Sequence, residues 1–243
     1  MTSGHDFYDE EAVFERYIKG RERQYTPNDT IEYPSLMAVI GDYQSLDILD
    51  LGCGDGRFGI ELLNGGCSSY TGIEASSRMV ELAKTALVDK GVVHHRTIEA
   101  WDYSVAHYDL VVSRLALHYV DNIETVFQTI YHALKPDGRF IFTVEHPVLT
   151  SHNESLEKLG GLRLNWIVDN YFVRGERNIR WMGSEVVKYH RTIEDYFSTL
   201  QSVGFKIEHL REPAPERSLI DDDALYERRK RIPLFLLLSA RKT

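Results

Sequence analysis

The stretch ILDLGCGDGRFG, residues 48–59, decides the fold class of this chain of 243 residues. Its apolar first part belongs to the run DILDL at 47–51, which has the length and composition of a buried strand. Three glycines follow between residues 52 and 56, and the apolar spacing beyond them predicts a helix from 57 to 64. A strand, a glycine turn and a helix in this order indicate a ligand-binding loop at the carboxyl edge of a parallel sheet.

The same alternation of strand and helix recurs along the chain. Apolar runs of strand length lie at 69–74, 91–95, 108–113, 139–145, 204–212 and 233–241. Helical periodicity separates most of them, so the strands are expected to be parallel and covered by helices on both faces. The last strand follows a charged loop with no predicted helix, which indicates an antiparallel strand. The prediction is an α/β fold with a doubly wound, seven-stranded, mostly parallel sheet and an antiparallel last strand.

The rhythm of strands and helices also suggests how the chain is divided. Residues 1–45 precede the sheet and are expected to form a helical cover, and residues 46–146 form the cofactor-binding core. The rhythm breaks in residues 147–184, which are rich in aromatic and basic side chains and are predicted to be an inserted lid over the acceptor site. The aromatic residues of this segment form either a flat lid or a small core of the insertion itself. Residues 185–243 complete the sheet.

Composition excludes several classes of function. The net charge is −9 and no long basic run occurs, which argues against a nucleic-acid partner because phosphate neutralisation needs clustered Lys and Arg. No apolar run reaches 18 residues, so no membrane span is predicted, and the N-terminus lacks the apolar region of a signal peptide. The two cysteines, Cys53 and Cys67, form no metal-ligand pattern and no disulfide framework. We therefore expect a cytoplasmic protein without a metal; its oligomeric state is not indicated.

The glycine loop differs from the common phosphate-binding loops. A dinucleotide fingerprint needs G-x-G-x-x-G, but position 57 is Arg, and the Gly-Lys-Ser/Thr ending of a phosphate loop is missing. Asp50 closes the strand before the loop, where its carboxylate would repel a pyrophosphate and suit an ammonium group. Glu74 ends the second strand, where a carboxylate can accept hydrogen bonds from both hydroxyls of a ribose. The two carboxylates therefore predict a nucleoside ligand that carries a positive charge.

Four motifs carry a resemblance to a known family. ILDLGCGDGRFG, GIEAS, YDLVVS and LKPDGRFIFTVEHP resemble the class I S-adenosylmethionine-dependent methyltransferases, in the group that includes the UbiE-like small-molecule enzymes. The resemblance covers residues 45–146, and the tail resembles a bacterial subgroup of the same enzymes. It implies that S-adenosylmethionine is the cofactor and S-adenosylhomocysteine the product. The aromatic residues and the acidic composition favour a small, neutral or cationic acceptor. We therefore expect methyl transfer to a nitrogen or oxygen of a small aromatic or heterocyclic metabolite, such as N-methylation of a flat heterocycle of the toxoflavin kind.

The resemblance further implies which residues hold the cofactor, all of them near strand ends: Asp50, Gly52, Cys53, Gly54, Glu74, Ala75, Met79, Glu99, Ala100 and Ser113. In the family, the first of these carboxylates and the glycine backbone lie along the methionine part, and Glu74 binds the ribose. Glu99 matches the acidic position that contacts the adenine amino group, and the backbone of Ser113 would approach the sulfur. For Met79 and Cys53, packing in the core is the alternative interpretation.

Four polar residues at the carboxyl edge are candidates for work on the acceptor: His118, Glu145, His146 and His190. A hydroxyl acceptor usually needs a general base, and His is the commonest one, whereas a neutral amine needs little help. His146 could instead cap a rigid His-Pro turn, and His190 lies beside a predicted helix cap. Both of these residues therefore have a structural interpretation as well as a catalytic one.

Two other classes of function stay open from the sequence alone. A cofactor-binding domain without turnover could act through a protein partner, because intact carboxylates do not prove catalysis. A nicotinamide-dependent oxidoreductase is disfavoured, since it would need Gly at position 57 and no terminal antiparallel hairpin. Methylation of nucleic-acid bases is disfavoured too, because SRLA at 113–116 replaces the N/D-P-P-Y tetrapeptide of such enzymes.

Overall fold

Seven strands form one central sheet in the computed structural model, which describes residues 7–21, 25–88, 90–152 and 166–243. The strands of this sheet are β1 (Asp47–Leu51), β2 (Ser69–Glu74), β3 (Val92–His95), β4 (Tyr108–Arg114), β5 (Leu134–Glu145), β8 (Phe205–Arg211) and β9 (Phe235–Lys242). A separate hairpin contains β6 (Gly175–Trp181) and β7 (Ser184–His190). The strand order in the large sheet is β3-β2-β1-β4-β5-β9-β8.

The directions of the strands confirm the predicted fold class. The neighbours from β3 through to β5 are parallel, and β9 runs antiparallel to both β5 and β8. From β1 the chain adds β2 and β3 on one side and then crosses over to add β4 and β5 on the other side. This reversal produces a crevice beyond the carboxyl ends of β1 and β4, which is where open α/β sheets bind their ligands.

Helices cover both faces of the sheet. The α-helices are α1 (Glu11–Arg21), α2 (Tyr33–Ile40), α3 (Arg57–Asn64), α4 (Ser77–Leu87), α5 (Ile123–Ala133), α6 (Pro147–Thr150), α7 (Ile193–Val203) and α8 (Asp223–Arg229). Alternate strand residues face opposite layers: Leu49 packs in the same cluster as α5 and α7, whereas Ile48 packs with α2, α3 and α4. Side chains on both faces of the central strands are therefore buried, as their near-continuous apolar runs predict.

The structure differs from the predicted elements in three places. Strand β5 begins at Leu134, before the predicted turn KPDG, and its register with β4 is irregular at that turn. VVKYH at 186–190, predicted to lead back into the sheet, pairs instead with β6 in the separate hairpin. Helix α8 lies in the loop before β9, where no helix was predicted. Residues 153–165 of the predicted insertion lie outside the described residues.

Membrane insertion through a helix finds no support in the described ranges. None of the helices there combines the length and the apolar character that crossing a bilayer requires.

Candidate active site

The glycine loop turns sharply at the end of β1 and contacts β2. The backbone N–H groups of Gly52 and Cys53 both donate to the carbonyl of Ile73, at 2.8 and 3.0 Å. Gly52 has a φ of +79°, and a Cβ atom there would lie 2.4 Å from the Cβ of Ala116. A Cβ at Gly54 would have only the hydroxyl of Tyr17 nearby, at 4.0 Å. Gly52 therefore permits close packing, and Gly54 leaves the backbone of the loop open to a ligand.

Glu74 fixes the glycine loop to the loop that follows β2. Its Oε2 accepts a hydrogen bond from the backbone N–H of Gly54 at 2.9 Å. Its Oε1 accepts from the N–H groups of Ala75 and Ser76, at 2.9 and 2.8 Å. Burial raises the pKa of Glu74, although these three donors favour its ionised form. Oε2 keeps a free lone pair with which it can accept a further hydrogen bond from a ligand.

Asp50 is a buried carboxyl group with one oxygen left unpaired. Its side chain is 1% exposed, and Oδ2 accepts a hydrogen bond from the hydroxyl of Tyr70 at 2.8 Å. Oδ1 has no hydrogen-bond partner among the described residues. Burial raises the pKa of Asp50 to about 6. A buried carboxylate in this condition is stabilised by a cationic donor, so the site suits an ammonium group.

One cavity of about 900 Å³ extends from the glycine loop to the carboxyl end of β5. Eight of the residues predicted to hold a cofactor line it: Asp50, Gly52, Cys53, Gly54, Glu74, Ala75, Met79 and Glu99. The packing interpretation of Cys53 also has support, because its Sγ would lie 2.7 Å from a Cβ at Gly72. These eight residues therefore meet at one end of the same cavity, and their role in holding a cofactor stays a prediction.

The other two predicted cofactor residues do not reach the cavity with their side chains. Ser113 is fully buried, and its hydroxyl donates to the carbonyl of Leu51 at 2.8 Å, so that it ties β4 to β1. Ala100 is exposed on the turn after β3, where its N–H donates to the carbonyl of Thr97. At the end of β4 the cavity is lined instead by the next three residues, 114–116.

Glu145 lines the other end of the cavity, at the carboxyl end of β5. Lys188, on β7, is 1% exposed and donates to Oε1 of Glu145 at 2.6 Å. The ammonium also lies over the rings of Trp181 and Tyr119, at 5.2 and 5.6 Å from their centroids. Burial is the largest influence and would by itself raise the pKa of Glu145, but the charge and the hydrogen bond of Lys188, together with His118, outweigh it and the pKa is lowered. The carboxyl group is therefore ionised at neutral pH.

His118 lines the cavity near Glu145 and is uncharged. Its side chain is 2% exposed, and Nδ1 has no partner among the described residues. Burial lowers the pKa of His118 to about 3, and the neighbouring charge of Lys188 acts in the same direction. A neutral imidazole at this position can donate or accept a hydrogen bond, but it is a weak base.

His146 and His190 do not line the cavity, because both rings are used in the structure. Nδ1 of His146 accepts from the N–H of Val148 at 3.2 Å, and Nε2 lies 2.8 Å from Oε1 of Glu212. His190 is fully buried, with Nδ1 2.7 Å from the hydroxyl of Thr150 and Nε2 2.9 Å from a backbone carbonyl. The structure therefore favours the structural interpretation of both residues. His146 caps a helix, and His190 makes hydrogen bonds in the protein interior.

The N-terminal segment covers part of the cavity. The ring of Tyr8 meets those of Tyr17 and Tyr119 edge to face, and its hydroxyl lies 3.4 Å from the hydroxyl of Tyr119. Asp9 accepts hydrogen bonds from the hydroxyl of Ser76 at 2.7 Å and from backbone N–H groups at the start of α4. This segment thus contacts both ends of the cavity.

Sequence reasoning missed Lys188, although its strand carried a signal. Residues 186, 188 and 190 alternate with more exposed neighbours, so the buried face of β7 includes the lysine. A buried lysine requires an anionic partner, but the sequence does not say that this partner is Glu145, 43 residues away. As for metals, the ranges that the structure describes contain no group of three or more His, Cys, Asp or Glu able to bind an ion.

Comparisons with known proteins agree with this geometry. A family model described as a methyltransferase domain matches residues 49–142. The crystal structure of an S-adenosylmethionine-dependent methyltransferase from Mesorhizobium loti is 32% identical with a TM-score of 0.79, and the match covers 86% of this chain and 97% of that one. A Listeria monocytogenes structure classed with the same enzymes is 35% identical with a TM-score of 0.78, over 87% of this chain and 96% of that one.

A more distant relative is an enzyme with an assigned substrate. The demethylmenaquinone methyltransferase of Lactococcus lactis is 25% identical over 170 residues, which are 66% of this chain and 67% of that protein.

Proposed function

Since this chain belongs to the class I S-adenosylmethionine-dependent methyltransferases, we propose that it methylates a nitrogen or oxygen of a small aromatic or heterocyclic metabolite. The observation that supports this acceptor is the single cavity lined at one end by Asp50 and Glu74 and at the other by Glu145, His118 and aromatic rings. A substrate that fits between these ends is a small, flat molecule.

The residues at the glycine end fit S-adenosylmethionine. The unpaired Oδ1 of Asp50 suits the ammonium of the methionine part, and the open backbone at Gly54 leaves room beside it. Oε2 of Glu74 can accept from a ribose hydroxyl in addition to the N–H of Gly54. Ala75, Met79 and Glu99 are proposed to lie around the adenine. Bound in this way, S-adenosylmethionine supplies an electrophilic methyl group on a sulfonium sulfur.

The chain's own contribution is to orient the acceptor and exclude water. Methyl transfer to a nucleophile is an in-line displacement, so alignment at close range supplies much of the acceleration. The rings of Tyr8, Tyr17 and Tyr119 pack together over the cavity and can hold a flat acceptor while keeping solvent out. The described parts of the predicted insertion, residues 147–152 and 166–184, are proposed to act as a lid, because Trp181 and Met182 line the same cavity.

The protonation states at the acceptor end favour nitrogen over oxygen. His118, with a pKa of about 3, and Glu145, with a lowered pKa, are both poor bases at neutral pH. An aromatic hydroxyl would need one of them to accept its proton, whereas a neutral nitrogen already presents a lone pair. Positive charge develops on that nitrogen during transfer, and the ionised carboxylate of Glu145 can stabilise it.

The proposal is tested by a methyl-transfer screen with radiolabelled S-adenosylmethionine over aromatic amines, phenols and nitrogen heterocycles. We expect transfer to compounds of the nitrogen classes, and reduced transfer by Glu145→Gln with unchanged affinity for S-adenosylhomocysteine. Binding of S-adenosylhomocysteine by calorimetry, combined with no transfer to any of these small molecules, would count against the proposed acceptor class.

Protonation of Asp50 is expected to control cofactor affinity below neutral pH. The group has a pKa of about 6 in the free protein, and the ammonium of the ligand requires the ionised form. Affinity for S-adenosylhomocysteine should therefore fall by about tenfold for each pH unit below 6, as a proton must leave on binding. The stability of the ligand-free protein depends on pH in the opposite sense. Because the pKa of Asp50 is raised in the folded state, its protonated carboxyl group stabilises the fold at low pH, and this stabilisation is lost as the pH rises through about 6.

Calorimetry between pH 5 and 7.5 measures this dependence. Asp50→Asn is the matched control, and it should bind weakly with little dependence on pH. A flat profile for the unmodified protein would contradict the proposed ion pair.

Trp181→Ala tests the proposed lid. The ring lines the cavity and lies over the ammonium of Lys188. Its loss is expected to raise the KM for the acceptor about three- to tenfold, because one aromatic wall disappears, and to leave the affinity for S-adenosylhomocysteine unchanged. Phe172→Ala is the control, since this ring of the same segment is 86% exposed. An equal loss of cofactor affinity in Trp181→Ala would argue that the segment supports the whole cavity.

A further inference from the structure

Charge is segregated within the cavity. Four carboxylates, of Asp50, Asp55, Glu74 and Glu99, line the end proposed for the cofactor. Three guanidinium groups line another part of the wall: Arg21, Arg228 and Arg229, which we call the arginine rim. This rim is unexpected in a chain whose net charge is −9.

Contacts with residues 25–30 bring the members of the arginine rim together. Arg229 donates to the hydroxyl of Thr30 at 2.8 Å and to the carbonyl of Tyr25. Arg21 lies near the neighbouring Asp29, with 3.9 Å between Nη1 and Oδ1. Arg228 precedes Arg229 on α8, and its charge helps to lower the pKa of Arg229, after burial. Arg21 and Arg229 thus contact the same short segment, and Arg228 adjoins Arg229 on α8.

The positive charge of the arginine rim is incompletely balanced. Arg228 has no side-chain hydrogen bond or ion pair with any described residue, and Nε of Arg21 is buried without a partner there. Arg114 provides the contrast in the same cavity, since it forms two hydrogen bonds to the carboxylate of Glu32, at 3.2 and 2.6 Å. Guanidinium donors left open at a cavity wall suit an anionic oxygen ligand, which they can bind by charge-assisted hydrogen bonds.

The path between the arginine rim and Glu145 is apolar. Leu225, Leu234 and Phe235 line the cavity, and Phe235 is paired with Glu145 across the β5–β9 ladder. Helix α8, which carries Arg228, thus leads along the chain to the strand residue beside Glu145. An acceptor could place a flat apolar body against these side chains, with its nucleophile near Glu145 and its other end at the rim.

We propose that the arginine rim binds an anionic group of the methyl acceptor, a carboxylate or a phosphate. The proposal rests on the proposed function, because it concerns the substrate of the same cavity. It narrows the acceptor to an aromatic compound that carries a nitrogen nucleophile at one end and a negative charge at the other. The pair Glu145–Lys188 is close to neutral as a unit, so it does not repel such a molecule.

Three matched probes test this inference: 4-aminobenzoate, 4-aminophenyl phosphate and the uncharged 4-methylaniline. Their affinities are measured by calorimetry with protein saturated with S-adenosylhomocysteine. We expect at least one anionic probe to bind about tenfold or more tightly than the uncharged one. A preference between the two anionic probes identifies the carboxylate or the phosphate as the natural group.

Arg228→Gln and Arg21→Gln should each reduce the preference for the anionic probe to about threefold or less. Arg211→Gln removes the same charge from an exposed position on β8 outside the cavity and should preserve it. Equal binding of charged and uncharged probes, binding of none of them, or equal effects of Arg228→Gln and Arg211→Gln would overturn the inference. Failure to bind S-adenosylhomocysteine would instead refute the proposed function, so the two failures are distinguishable.

Discussion

Glu74→Gln is expected to weaken the binding of S-adenosylhomocysteine by roughly 100- to 1,000-fold. The carboxylate accepts from three backbone N–H groups, those of Gly54, Ala75 and Ser76. An amide in its place must turn its NH₂ group toward at least one of these donors, so at least one hydrogen bond becomes a repulsion. Hydrogen bonds to a charged group are worth about 1.5–3 kcal/mol each, and losing two of them, to the loop or the ribose, near the lower end of that range costs about 3–4 kcal/mol, which corresponds to this loss of affinity.

Glu81→Gln is the matched control for this experiment. Glu81 is exposed on α4, so Glu81→Gln makes the same change of charge without affecting the glycine loop. Calorimetry measures the affinity. Thermal unfolding of the ligand-free proteins shows whether the substitution also destabilises the fold. An affinity within threefold of the unmodified protein, in a Glu74→Gln variant that folds normally, would refute the role proposed for this carboxylate.

Most of the fold could be predicted because burial on both faces leaves a plain signal in the sequence. The runs DILDL and YDLVVS are mainly apolar, and each becomes a central strand with helices on both faces. The buried face of an amphipathic helix could be predicted less precisely than a buried strand. By its spacing from Met79 and Ala83, Leu82 belongs to one apolar stripe of α4, but it is 36% exposed, whereas Val80 and Leu87 are buried. A single helical stripe does not specify which side of a neighbouring helix it meets.

The errors in the predicted strands have local causes. The sequence KPDG at 135–138 contains strong turn residues, yet β5 continues through it. The register between β4 and β5 is irregular there, and this irregularity accommodates the extra residues within the strand. Strand β7 has the alternation of a half-buried strand, but nothing in that pattern says which sheet it joins. Pairing partners are set by tertiary contacts, which a periodicity does not contain.

The candidate site was predictable only where residue type and strand end coincide. Asp50 and Glu74 end adjacent parallel strands, so the topology alone brings their carboxylates to one edge. The same reasoning placed His146 at that edge, but the ring turns away to cap α6. Side-chain direction after a strand end depends on the next turn of backbone, and His-Pro fixes that turn. The roles proposed for the acceptor residues stay predictions.

The family assignment also removes two alternatives. A nicotinamide-dependent oxidoreductase does not fit a chain that is 32% identical to an S-adenosylmethionine-dependent methyltransferase over 86% of its length. The buried carboxyl of Asp50 agrees, since it would oppose a pyrophosphate at the glycine loop. An enzyme that transfers methyl groups is likewise not a silent binding domain, so the open question is the acceptor.

Lys188→Met is expected to lower the free energy of unfolding by about 3–5 kcal/mol at neutral pH, because it leaves the buried carboxylate of Glu145 without its partner. In the unmodified protein Lys188 holds the pKa of Glu145 below its ordinary value. That stabilisation is present above the unfolded pKa and is lost as the pH falls through the lowered one. In the variant burial acts alone and raises the pKa, so its deficit should shrink as the pH is lowered from 7 toward 5.

Denaturant unfolding at several pH values measures both effects, and the double variant Lys188→Met/Glu145→Gln is the control. It removes the unpaired charge, so it should recover much of the lost stability and show no comparable dependence on pH. The surface pair Lys230–Glu227 offers a second control, since Lys230→Met should leave the stability nearly unchanged. If Lys188→Met and the double variant were equally unstable at every pH, packing of the lysine stem between Tyr119 and Trp181 would explain the loss. Glu145 would then owe its ionised state to something other than Lys188, and its proposed role beside the acceptor would lose its support.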